Sequence, residues 1–175
     1  MKTRSIVIAA AAICLLSSRA NGGEQYARLA PIGSFAAYVY ADENSTSLGI
    51  DAQMAADYVA GLLGKGGITT SQDSGTFIQV CIYSTALRNI QDRAQVMNTH
   101  AFTITVECIR PTENGHEMLW RDLHYGGYTG MSAEFIVNEI QSMIDKSVNA
   151  FCGDYARDRR SGTSAEPAGM RRAGA

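Results

Sequence analysis

Two kinds of periodicity run through the chain. Over residues 35–40, 77–83, 102–109 and 118–125, apolar or β-branched positions recur every second residue, the pattern of a strand with one buried face. Ile50, Met54, Tyr58, Val59, Leu62 and Leu63 instead recur three and four apart, so they form one stripe along a helix over 51–63. Ile136, Ile140, Met143, Ile144, Val148, Phe151 and Cys152 do the same over about four turns and predict a second helix, with Ser132 as its cap. Asp51 stands at the start of the first helix as N-cap or first-turn acid, and Gly64-Lys65-Gly66-Gly67 stops it. Gly126-Gly127-Tyr128-Thr129-Gly130 reads as a turn closing the last strand, and 42–47 as a polar loop.

The order is strand, helix, three strands, helix. It predicts an α+β two-layer sandwich, with a mainly antiparallel four-stranded sheet (β-α-β-β-β-α) and two helices on one face. Residues 88–93 read as the tip of a hairpin, because Val96, Asn98, His100 and Phe102 keep one parity into the next strand. Asn114-Gly115 between two alternating runs marks a second hairpin, because both central residues of a type I′ turn need positive φ. Taken as a two-residue turn, it sets Val106 opposite Leu123 and Ile104 opposite Tyr125 on the core side. Glu107 then faces Asp122 on the other side, with Thr105 opposite His124 beside them.

Outside this periodic body the ends differ in kind. Met1-Lys2-Thr3-Arg4, an apolar run to Leu16 and then Ser18-Arg19-Ala20 follow the scheme of a secretory signal peptide, so residues 1–20 are expected to be removed. Cys14 follows Ile13, where a lipoprotein signal wants a small residue, so cleavage near Ala20 is the expectation. Residues 21–33 form a lead-in, 34–156 a single domain, and 157–175 a tail of Ser, Gly, Ala, Pro and Arg expected to be disordered.

Charge follows the same division. The whole chain carries −2, yet residues 21–156 hold seven basic and fifteen acidic residues, a net −8, while the tail is +3. An acidic body makes nucleic acid an unsuitable partner, since phosphate binding needs concentrated Lys and Arg. The five Arg of the tail offer at most a weak contact with anionic lipid, and no transmembrane span is expected once the leader is cut.

Candidate chemistry is sparse. Glu107, Asp122 and His124 are the one grouping of acids and imidazole that the expected register brings to one face. Opposed carboxylates with a nearby His suit acid catalysis or ligand binding. No metal-ligand spacing occurs, no cofactor motif is present, and no Gly-x-Ser-x-Gly marks a serine nucleophile. Cys81, Cys108 and Cys152 remain after cleavage. Strand and helix parity put Cys108 and Cys152 on the core side, so an exported chain is expected to pair them, for about 2–4 kcal/mol, with Cys81 left over.

Residues 34–40, Leu63-Gly64-Lys65-Gly66, Leu119-Trp120-Arg121 and residues 136–151 together resemble a broad group of small bacterial outer-membrane-associated lipoproteins of unknown function. That resemblance implies an envelope location and no known activity. The expectation is therefore a periplasmic or secreted, non-enzymatic module that binds another envelope protein, through the 88–93 hairpin tip or the uncovered sheet face. The alternative is a small-ligand or metal-binding protein, or a hydrolase, built on Glu107, Asp122 and His124.

Overall fold

In a computed structural model the described residues are 29–87 and 99–163. The elements are β1 (Ala36–Ala41), α1 (Glu43–Ser47), α2 (Ala52–Lys65), β2 (Phe77–Leu87), β3 (Thr99–Thr112), β4 (Gly115–Thr129) and α3 (Ala133–Thr163). The strands lie in the order β1-β2-β3-β4. β1 and β2 are parallel because α2 carries the chain back between them, and the other two pairings are antiparallel. The result is the expected α+β sheet, mostly antiparallel, with α2 packed on β1 and α3 on β3 and β4.

Alternation decides which sheet face the helices cover. Ile78, Val80 and Ile82 of β2 and Phe102, Ile104, Val106 and Cys108 of β3 point to the helix side and are buried. They meet Val59 and Leu63 of α2 and Ile136, Ile140, Val148 and Phe151 of α3, so both predicted stripes are the core faces of their helices. One end of this core is aromatic. Phe35 sits edge-on to Phe151 and Tyr155 at 5.4 and 5.5 Å, and Trp120 edge-on to Phe151 at 5.4 Å. Their polar handles are satisfied, the Trp120 indole N–H donating to Asp154 and the Tyr155 hydroxyl to the Ile32 carbonyl.

Several boundaries differ from expectation for local reasons. The 42–47 stretch is not a loop: Asp42 accepts a hydrogen bond from the Ser45 amide at 2.8 Å and caps the five-residue α1. Asp51 caps α2 likewise, accepting from the Met54 amide, although Met54 itself is 73 % exposed and its place in the stripe is lost. The glycines after Tyr125 are strand up to Thr129, and the chain turns only at Gly130, whose φ is 72°. Gly127 is tolerated there because β3 passes close: a Cβ at this position would sit 3.2 Å from the His100 carbonyl oxygen.

Helix α3 also outruns its prediction. It continues to Thr163, through the first residues of the segment assigned to a disordered tail. Asp158 accepts the Ala30 amide, Arg157 pairs with Asp154 one turn back, and Arg159 lies over the Tyr155 ring, so this last stretch has contacts to hold it. Leader, Cys14, the 88–93 tip and residues 164–175 lie outside the described residues. β2 and β3 are antiparallel on either side of that tip, with Leu87 opposite Thr99.

Candidate functional site

The β3–β4 register overturns the expected grouping of Glu107, Asp122 and His124. Thr112 is opposite Gly115, so the turn residues are not Asn114 and Gly115 but Glu113 and Asn114. Neither has positive φ; that conformation falls to Gly115, at 137°. The Asn-Gly signal thus marks a hairpin whose glycine follows the turn instead of sitting inside it. A second irregularity comes at Cys108/Ile109, where Ile109 is opposite Met118 and Cys108 opposite Trp120, leaving Leu119 as an extra residue on β4. Both Leu119 and Trp120 consequently enter the core.

Beyond this bulge every partner is displaced by one from the expected pairing, and a shift of one exchanges faces. Val106 is opposite Asp122, Ile104 opposite His124 and Glu107 opposite Arg121. Glu107 therefore lies on the uncovered face, paired with Arg121 at 3.1 Å. Asp122 and His124 lie under α3. The three residues do not converge, and the opposed carboxylates are not formed.

What forms is a polar tie that sequence reasoning missed. The His124 Nε2 atom lies 2.7 Å from Ser147 Oγ and 3.2 Å from Asp122 Oδ2, and the Ser147 hydroxyl donates to that carboxylate at 2.8 Å. Ser147 is completely buried. Serine, histidine and aspartate in contact suggest a catalytic triad, but that device needs the acid and the serine on opposite ring nitrogens, so that the ring can relay a proton. Here both oxygens address the same nitrogen and the hydroxyl is inaccessible. The cluster fastens α3 to β4. Its signal was available, since Ser147 is a polar residue one position before Val148 in the apolar stripe of α3.

Cys108 and Cys152 are free and buried, as is Cys81, so the expected bridge is not formed. The Cys152 sulfur is turned toward the end of α2, so close to Gly66 that a Cβ there would lie 2.4 Å from it. Burial pushes the Cys108 thiol up to about 12 and raises that of Cys152, which keeps both protonated and unreactive. Among the described residues no group of three His, Cys, Asp or Glu side chains is placed to hold a metal ion.

Two surfaces remain. A cavity of about 290 Å³ opens between α2 and α3, lined by Ile50, Met54, Tyr58, Ile82, Ile140 and Ile144 among others. Its one lining carboxylate, Asp51, is committed to capping α2. The hollow offers apolar packing with little to orient a ligand.

The second surface is the uncovered side of the sheet. Tyr38 and Tyr40 of β1, Tyr83 of β2, and Met118 and Tyr125 of β4 stand on it between 37 and 51 % exposed. Tyr38 packs edge-on against Phe77 and Tyr40 at a tilt against Tyr83, each at 5.5 Å, so the aromatic groups form a patch and not a scatter. Gln79, Cys81, Thr103 and Thr105 fill the space between, and Glu107 with Arg121 supplies the face's ion pair.

The class these features define is an α+β sandwich with one helix-covered and one bare sheet face. No protein-family model matches the chain, and no curated protein matches it. Among solved structures it is similar to the rare lipoprotein B from Shewanella oneidensis, with 9 % identity and a TM-score of 0.30 over 75 % of this chain and 96 % of that one. At that TM-score the likeness carries no argument about what the chain does. No helix among the described residues is long and apolar enough to cross a membrane.

Proposed function

We propose that the protein is an exported envelope protein that works by contact, holding a protein partner on the bare face of its sheet. The signal-peptide pattern of residues 1–20 supports export. The observation that carries the contact reading is the aromatic patch: five of the eight exposed large apolar side chains among the described residues lie on this one face. Tyrosine is the residue type that gives contact area at low entropic cost, and interfaces are enriched in it. The hydrolase reading loses its basis because Glu107 is across the sheet from Asp122 and His124, whose hydrogen bonds are spent on Ser147.

The test is photocrosslinking in the producing cell. A photoreactive amino acid replacing Tyr40 or Tyr125 is expected to give a discrete protein adduct in the envelope fraction, while the same replacement at Asn149 gives none. A folded, exported chain that yields no adduct from either tyrosine position would overturn the reading.

A further inference from the structure

Resting on that reading, we infer that the occupant of the bare face is a second copy of this chain, packed sheet to sheet. Three observations favour a copy over an unlike partner.

The first is charge. Residues 21–156 carry −8, so two copies repel wherever their acids meet. The bare face is the exception, because its charged residues Glu107 and Arg121 neutralise each other and the rest is Tyr, Phe, Thr, Gln and aliphatic. Two such faces approach without net repulsion, whereas a partner recognised for its own charge would find little to pair with.

The second is relief. The tall side chains Tyr38, Tyr40, Phe77 and Tyr83 stand on β1 and β2 and Met118, Arg121 and Tyr125 on β4, while β3 between them presents the low Ala101, Thr103 and Thr105. A two-fold axis lying between two facing sheets and parallel to their strands places β1 of one copy over β4 of the other. The same axis places Phe77 and Tyr83 of β2 over the low β3 row of the partner, and reciprocally, which is the self-complementarity an isologous interface requires. Aligned sheets packed about 10 Å apart are a standard way to bury such side chains.

The third is area. With strands about 4.8 Å apart and rising about 3.4 Å per residue, the face covers roughly 600 Å² in projection, and more as accessible surface because the tyrosines stand off it. Two copies then bury about 1,200 Å² or more, which reaches the range of specific interfaces.

Sedimentation velocity on the full chain, exported and processed by its expression host, tests this over roughly 1–100 µM, which brackets a dissociation constant in the micromolar range. The expected result is a monomer–dimer equilibrium. Tyr40→Lys and Tyr83→Lys are each expected to raise the dissociation constant roughly 30-fold or more, as hot-spot losses do. Tyr125→Lys serves as a third variant on the far strand, circular dichroism verifies folding, and Asn149→Lys on α3 is expected to leave the dimer intact. A wild-type chain that stays monomeric throughout overturns the inference. If its Tyr40 photocrosslink in cells then goes to a different protein, the second copy is excluded while the contact reading stands. A dimer that the tyrosine variants leave unchanged, or that Asn149→Lys dissociates, places the interface elsewhere and overturns it as well.

Discussion

The two faces of the sheet are made from the same strands, alternate residue by alternate residue, and they have opposite chemistry. On the covered face Ile82, Ile104 and Val106 are completely buried, and Asp122, His124 and Ser147 are tied to one another. On the bare face Tyr38 and Tyr40 remain half exposed and Cys81 is the small residue between aromatics. Folding stability is therefore concentrated on one side, and the freedom to carry function on the other. A substitution should reveal its side by what it damages, the fold or the contact.

The largest contrast lies between Phe151 and Tyr40. Phe151 is completely buried and touches Phe35, Trp120 and Tyr155, so Phe151→Ala removes the centre of the aromatic cluster. It should cost about 3–5 kcal/mol by urea unfolding. Tyr40→Ala should cost less than about 1 kcal/mol in the same assay, since an exposed aromatic has little core to vacate. Equal losses would erase the distinction between the faces.

Next in size come the two ties between elements. Ser147→Ala leaves the Asp122 carboxylate and the His124 ring partly buried without their shared hydroxyl, and about 1–3 kcal/mol of stability should be lost. No comparable loss is expected from Glu107→Gln across the sheet, where an ion pair with half-exposed Arg121 is worth at most about 1 kcal/mol. Gly66→Ala puts a methyl group against Cys152, at 2.4 Å from the sulfur and 2.9 Å from its Cβ. Overpacking of this kind should cost about 1–3 kcal/mol. Because Cys152→Ala removes the nearer obstacle, the double variant should be less destabilised than the two singles together predict, and strict additivity in the cycle would show that Gly66 is needed for another reason.

The covered face was legible in the sequence and the hairpin register was not, and the reason is specific. Burial of Ile78, Val80, Ile82, Ile104 and Val106 follows from parity within one strand, which needs no knowledge of a neighbour. Both helix stripes follow the same way, and the caps Asp51 and Ser132 were readable from residue type alone. Placing Asp122 and His124 needed the pairing between strands. That pairing depends on where the turn residues fall and on an inserted Leu119, and the insertion leaves no mark in an apolar run where Leu119 and Trp120 both look like core residues. A one-residue error there moved two of three candidate site residues to the wrong side. The bare aromatic face was present in the same parity, as Phe77 and Tyr83, but only the absence of a covering helix gives those residues meaning.

The smallest expected effect concerns the point where the faces meet the first crossover. Asp42 closes β1, caps α1 and also accepts the Ser84 amide of β2. Partial burial works to raise its pKa, but the hydrogen bonds from Ser45 and Ser84 outweigh it and hold the carboxyl below its ordinary value of 3.8. A carboxyl depressed in the folded state contributes stability that is fully present above 3.8 and is lost as the pH falls through the folded value. The urea midpoint should thus be flat from neutral pH down to about pH 5 as far as this group is concerned, and should decline below about pH 4. Asp42→Asn keeps a capping oxygen without the charge, so its midpoint should be lower near neutrality and its acid slope shallower than that of the natural chain. Parallel acid slopes for the two chains would show that Asp42 is not the group responsible.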